Sequence, residues 1–274
     1  MKTAKILFAA ATLGAAFLVS TGAQAADIGN GNYKEPEPAP MVDAPMVDDV
    51  YGAGWMVRLR GLGVVPDDSS SNWTVNGIPA EIALGLPGSD IDITSTVVPE
   101  LDITYFFTHH IAAELILGVT PHRVDAAGLL ANLPVPFAVN NLGEIGSAWL
   151  LPPTLLLQYH FFLDNGVKPY VGVGVNYTVF FSPGSGPYFR DFSLDNNWGW
   201  ALQAGVDIPV GGNWFINFDV KKVFLESSAS VWLNPGVLAP THPGAFITTD
   251  AQIDPWLIGV GFGYRFGAAP QPLK

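Results

Sequence analysis

Three histidine positions, one serine and a spaced set of charges are the residues of this chain that could do chemistry. His109-His110 would offer two imidazoles to a metal ion, but neighbours in an extended segment point to opposite sides. The pair is therefore read as part of a tight turn and no metal site is assigned. Ser147 is a nucleophile type and His122 a base type. An acyl-transfer enzyme would need them within hydrogen-bond reach, with an acid orienting the base. They flank a long connection and no motif links them, so no catalytic residue is assigned. The charges are more orderly. Arg58 and Arg60, Glu100 and Asp102, and Asp219 and Lys221 each stand two residues apart, and Glu114, Gln158, His160, Asn176, Asp207 and Arg265 fall in the same phase of their own segments. A spacing of two puts side chains on one face of a strand.

The segments that carry them have a second, apolar phase. In "PYVGVGVNYTVFF", residues 169–181, odd positions give Val171, Val173, Val175, Tyr177, Val179 and Phe181, and even ones Tyr170, Gly172, Gly174, Asn176 and Thr178. Trp55, Val57 and Leu59 alternate with Met56, Arg58 and Arg60. Leu101, Ile103 and Tyr105 alternate with Glu100, Asp102 and Thr104. Eight such strands are expected, at about 54–66, 96–108, 111–120, 150–162, 168–181, 194–209, 213–225 and 254–266. Connections after the second, fourth and sixth are short ("HH", "LDNGV", "VGGN"), whereas three of the other four run to roughly two dozen residues or more. Short turns on one rim and long loops on the other predict an all-β, eight-stranded antiparallel transmembrane β-barrel, with periplasmic turns and extracellular loops.

Composition agrees. The chain is 49% hydrophobic and 13% charged, against about 25% charged in an ordinary soluble domain. A net charge of −12 offers no basic surface for nucleic acid, and the absence of cysteine excludes disulfides and thiolate chemistry. Lys2 and Lys5, the run "ILFAAATLGAAFLV" and Ala23-Gln24-Ala25 predict a cleaved export signal over 1–25. Residues 26–52, acidic and proline-rich with "APMVD" repeated in tandem, are expected to form a disordered periplasmic linker. The barrel is then 53–266, and 267–274 a short extension. An Arg or Lys facing lipid at the midplane costs about 2–4 kcal/mol, so the apolar comb is expected outside and the charges within. A secreted soluble barrel would reverse this, leaving the aromatics near strand ends (Trp55, Trp149, Trp198, Trp214, Trp256, Tyr159, Tyr264) without the membrane interface that suits them.

The blocks "VVPELDITYFFTHHIAAEL", "LPPTLLLQYHF", "KPYVGVGVNYTVFF", "NNWGWALQAGVDIPVGGNWFINFDVKKV" and "DPWLIGVGFGYRF" resemble, in order, the OmpW family of small outer-membrane proteins. The resemblance implies a bacterial outer-membrane location, an eight-stranded barrel with an apolar lumen, passage of small hydrophobic molecules, and no cofactor. It also implies contact with outer-membrane lipid and lipopolysaccharide, and recognition by the barrel assembly machinery. Outer-membrane barrels commonly finish on a terminal aromatic; here Tyr264 and Phe266 keep the expected spacing, but "GAAPQPLK" follows.

Mixed signs inside a narrow barrel favour a structural ion-pair network over an ion-selective pore. The long connections are unusually apolar: "GIPAEIALGLPG", "AAGLLANLPVPFAV" and "VWLNPGVLAPTHPGAF" could pack as a lid or collect hydrophobic solutes. Pro66, Pro99, Pro121, Pro152, Pro153 and Pro255 are expected at the outer ends of strands. Pro99, Pro152 and Pro153 lie slightly inside, and are expected to loosen wall pairing and leave a lateral gap. Alternatives are a structural or adhesive barrel without transport, and a lipid A-modifying barrel enzyme.

Overall fold

A computed structural model of the chain describes residues 54–79, 88–128, 130–132, 141–235, 237 and 244–266. The expected export signal, linker and C-terminal extension lie outside the described residues, as do the tips of three apolar connections.

Sixteen strands follow one another: β1 (Gly54–Val65), β2 (Ser69–Val75), β3 (Ile78–Pro79), β4 (Ser89–Ile93), β5 (Thr96–Phe106), β6 (Ile111–Gly118), β7 (Thr120–Gly128) and β8 (Glu144–Leu151), then β9 (Thr154–His160), β10 (Lys168–Ser185), β11 (Phe189–Leu194), β12 (Asn197–Gly211), β13 (Trp214–Phe224), β14 (Glu226–Leu233), β15 (Phe246–Gln252) and β16 (Trp256–Phe266). Eight of them, in the order β1, β5, β6, β9, β10, β12, β13 and β16, pair antiparallel and close into a barrel through β16 and β1. These are the eight expected from alternation, with one change. The strand expected over 150–162 is broken by Pro152-Pro153 into β8 and β9. Neither proline has an N–H to give a ladder.

The remaining strands are where loops were expected. β10 runs on past the barrel, and its outer half, from Val179 to Ser185, pairs with β8, then β7, then β4. Facing them is a five-stranded sheet, β11, β14, β15, β2 and β3. The β2–β3 hairpin turns at Asn76-Gly77, both with positive φ (52° and 79°), the pairing that a tight type I′ turn requires. Together these sheets form an upper storey whose apolar core, including Val75, Ile91, Ile145, Phe189, Phe192 and Leu233, continues down into the barrel through Ile116, Leu156, Ala201 and Val223.

Within the barrel the faces divide as the cost of charge in lipid demands. Val171, Val173 and Val175 are 48%, 52% and 50% exposed, whereas Arg58, Asp102 and Glu114 are fully buried. On β1, Trp55 pairs with Phe266 at one end and Val65 with Trp256 at the other, ten residues along. At about 3.3 Å per residue and a tilt near 40°, that length spans about 25 Å, the height of an outer-membrane apolar band. Rings meet at both rims: Trp55 against Tyr105 at 4.8 Å and Trp214 against Tyr264 at 5.0 Å below, Trp200 stacked on Phe224 at 3.9 Å above. Lys222 breaks the comb at the upper rim. Its ammonium donates to Asp67 (3.1 Å) and to the Asp254 carbonyl (2.6 Å) and lies 5.0 Å from the Trp256 ring centre, so the charge is held at the interface.

The interior is narrow. A Cβ on Gly172 would lie 2.8 Å from Gln203 Oε1, and one on Gly263 would overlap the Phe215 ring. Nitroxide labels at Val173 and Val260 should collide with oxygen dissolved in the acyl chains and resist a water-soluble relaxer. A label at the solvent-exposed turn residue Asp164 should do the reverse; water-like behaviour at the first two would contradict the assigned sidedness.

Candidate functional site: an ionic floor under an apolar chamber

Alternation on five strands aims Arg58, Arg60, Glu100, Asp102, Glu114, Asp207, Asp219 and Lys221 at one level of the lumen, all at most 4% exposed. Arg60 is the hub. Its guanidinium forms ion pairs with Asp102 (2.6 Å), Glu100 (2.9 Å), Asp219 (3.2 Å) and Glu114 (3.5 Å), and donates to Asn217 Oδ1 (3.1 Å). Arg58 pairs with Glu114 (2.6 Å) and Asp207 (2.8 Å), and Lys221 with Asp219 (2.5 Å) and Glu100 (3.0 Å). Neutral groups tie the remaining valences. Gln158 and Gln203 both donate to Glu114 Oε2, at 2.8 and 2.7 Å, and Tyr170 donates to Asp219 at 2.8 Å. The result is a cross-linked floor whose members come from seven of the eight barrel strands, all but β16.

The other expected lumen residues sit at its margins. His160 is buried, with Nε2 3.0 Å from Gln158 Oε1 and its ring stacked on Tyr170. Arg265 is half-buried at the turn end, its guanidinium 4.2 Å from the Phe106 ring centre. Asn176 stands above the floor, donating to Thr154 Oγ1 (2.8 Å) and the Pro152 carbonyl (3.2 Å). Tyr264 and Phe266 lie on the outer face of β16, ring centres 5.0 Å apart. Gln203, Asn217 and Tyr170 belong to the network but were not singled out in the sequence, although they share phase with Asp207, Asp219 and Gly172.

Above the floor the lumen changes character. A cavity of about 650 Å³, counting its open mouth, rests on Glu100 and Lys221 and is walled by residues such as Leu62, Val64, Ile116 and Leu257. A second cavity of similar size fills the upper storey among Ile91, Val124, Phe180, Phe192 and Val231. His122, Leu150 and Ile253 line both, so the two adjoin, and they are taken together as an upper apolar chamber. The apolar lumen implied by the family resemblance is thus confined to the upper part; the lower part is ionic.

The wall beside this chamber has two interruptions in its backbone pairing. The β5–β6 ladder stops at Glu100↔Gly118, immediately below Pro99, and pairing on that side resumes only where the Thr94 N–H donates to the Arg123 carbonyl at 3.0 Å. On the opposite side of the same strand, β6–β9 pairing stops at Ile116↔Thr154, just before Pro153 and Pro152, and β7–β8 pairing starts at Thr120↔Leu150. Pro99, Pro152 and Pro153 therefore flank one segment, Leu117 to Pro121. Pro121, expected at a strand's outer end, lies inside β7 opposite Trp149. Pro66 and Pro255 do fall between strands.

The remaining chemical candidates separate. β7 and β8 pair, bringing Ser147 near His122 along the ladder, but His122 is opposite Ala148 and buried with it, whereas Ser147 is the next residue and faces the other way. The His110 ring packs on Tyr159, with Nδ1 2.8 Å from the His160 carbonyl. Among the described residues no cluster of His, Asp and Glu has a metal-holding arrangement.

The OmpW family model matches residues 53–266. This chain belongs to the OmpW family. It is 42% identical over 266 residues to outer-membrane protein y4mB of Sinorhizobium fredii, covering 96% of this chain and 98% of that one. It is 28% identical over 213 residues to the dibenzothiophene metabolism operon protein PahQ of Pseudomonas aeruginosa, covering 77% and 88%. The crystal structure of OprG from Pseudomonas aeruginosa superposes with a TM-score of 0.65 at 29% identity, over 80% of this chain and 98% of that one. The OmpW-type barrel is accordingly an outer-membrane protein of the Gram-negative envelope.

Removing one member of a buried ion cluster costs about 3–5 kcal/mol, because its partners stay behind unpaired. Arg60→Met leaves four carboxylates facing one another, and Asp102 has no hydrogen bond among the described residues to fall back on. The variant should unfold at markedly lower urea concentration in lipid vesicles; an unchanged midpoint would show that the floor is not held by this side chain.

Proposed function

We propose that this protein passes small hydrophobic molecules through the outer membrane's polar surface layer, taking them in from the outside and releasing them sideways into the bilayer. The observation that carries the reading is the position of the unpaired wall: it lies beside the chamber and directly above its floor. A solute descending the chamber meets apolar side chains until Glu100 and Lys221, where continuing downward would mean entering a packed ion cluster. An apolar molecule gains nothing there and loses its contacts. The wall at Pro99 is the alternative exit, with Val97 79% exposed on its outer side. The gap lies in the outer half of the apolar band, since Pro99 pairs with Gly61, nearer Val65 than Trp55. The relative named for a dibenzothiophene metabolism operon supports the same substrate class, because dibenzothiophene is a flat apolar heteroaromatic.

In this reading the apolar extracellular connections capture solute, the upper storey holds the chamber clear of the lipopolysaccharide layer, and Tyr264 and Phe266 present the end of β16 to the assembly machinery. The floor blocks water and ions.

Pro99→Val restores an N–H to β5 and lets the β5–β6 ladder continue upward. Uptake of naphthalene into reconstituted vesicles should fall several-fold, and Pro152→Val with Pro153→Val should act in the same direction. Undiminished flux in both would remove the lateral exit from the proposal.

A further inference from the structure

A few polar side chains interrupt the apolar chamber, and one of them borders both of its parts. His122 on β7 is 8% exposed and lines both cavities. Its Nδ1 lies 2.7 Å from the Thr94 carbonyl oxygen. A carbonyl oxygen only accepts, so Nδ1 carries the proton. Burial holds this imidazole below its ordinary pKa range, so at neutral pH the other nitrogen is bare and presents a lone pair. Among the described residues Nε2 has no hydrogen-bond partner.

The other polar groups around the lower cavity are largely committed. Asn176 donates to Thr154 and Pro152, Thr178 donates to Asn176, and Lys221 is held by Glu100 and Asp219. The exception is Thr120, on the same buried face of β7 two residues nearer the unpaired wall, which also lines the lower cavity. β7 thus carries an acceptor in the chamber and a hydroxyl beside the exit. An imidazole nitrogen that faces a cavity with its lone pair uncommitted can accept from a ligand that brings a donor.

We propose that His122 is a specificity-determining residue: its Nε2 accepts a hydrogen bond from the hydroxyl or N–H of a solute whose remaining surface is apolar, and Thr120 receives the same polar group on the way to the wall. This rests on the passage reading and narrows its substrate class. Phenols, alcohols and N–H heteroaromatics fit. A pure hydrocarbon leaves Nε2 unpaired, and a carboxylate brings a second lone pair against it. Sites that bury a hydrogen-bonding group discriminate in this way against analogues of the same shape that lack the partner.

The test compares 1-naphthol with naphthalene, which share a ring system and differ by one hydroxyl, using the full chain in vesicles. The ratio of 1-naphthol to naphthalene uptake should drop by roughly three- to ten-fold in His122→Leu, the worth of one hydrogen bond. An unchanged ratio overturns the proposal. Failure of the wild-type protein to pass either solute would instead overturn the passage reading. A second measurement needs no folded apolar variant. In ¹⁵N-histidine-labelled wild-type protein, the Nε2 resonance of His122, assigned by its loss in His122→Gln, should move when 1-naphthol is added and stay when naphthalene is added. No response, or the same response to both, overturns the proposal.

Discussion

The contact on which the rest of this molecule depends is the one between Arg60 and its four carboxylates. Strands that cross a bilayer must put their charges somewhere, and lipid on the outside leaves only the lumen. Eight strands enclose a space that side chains nearly fill. The charges must therefore meet, and they can share so small a volume only as a network of alternating sign. Lys221, Arg58 and Arg60 are interleaved with Glu100, Asp102, Glu114, Asp207 and Asp219 for that reason. In the passage reading, a closed axial path is a by-product of solving the electrostatics of a narrow barrel.

The same network gives the wall its sidedness. A one-residue slip in a strand exchanges its two faces. If both faces were apolar, lipid and lumen would accept either phase. With Arg58 and Arg60 on β1 and Glu100 and Asp102 on the adjoining β5, a slip would send charges into acyl chains and leave their partners alone inside. Buried ion pairs often add little to stability compared with apolar packing. Here they specify which side of each strand is in.

Strong alternation made the barrel strands legible in the sequence, because the penalty for error is large at every second residue. The floor was legible for the same reason in its charged members. Gln203, Asn217 and Tyr170 escaped because amides and a phenol carry no such penalty and do not stand out among glycines and valines. The upper storey was hidden for a different reason. β2 reads SSSNWTV and β14 ESSASVWL, short and serine-rich, exposed on one side to water and asked to meet no lipid. Such segments look like loops. The Asn76-Gly77 turn that closes β2 on β3 went unread in the same stretch. The facing of His122 could not be read at all, since it depends on the pairing of β7 with β8 across a long connection whose register only the fold fixes.

The upper storey is joined to the barrel unevenly. Seven of the barrel strands are separated from their outward continuations by one to three residues outside any strand, whereas β10 runs eighteen residues from Lys168 to Ser185 through both levels, with a bulge between Phe181 and Gly184. It is the one barrel strand that carries both levels without a break. A rigid displacement of the upper sheets pivots most cheaply about that line, so the least motion occurs at β8 and β9 beside it and the most at β1 and β16 across from it. Forces applied to the exterior, by a bound particle or a neighbouring surface, would reach the bilayer level as a tilt about β10.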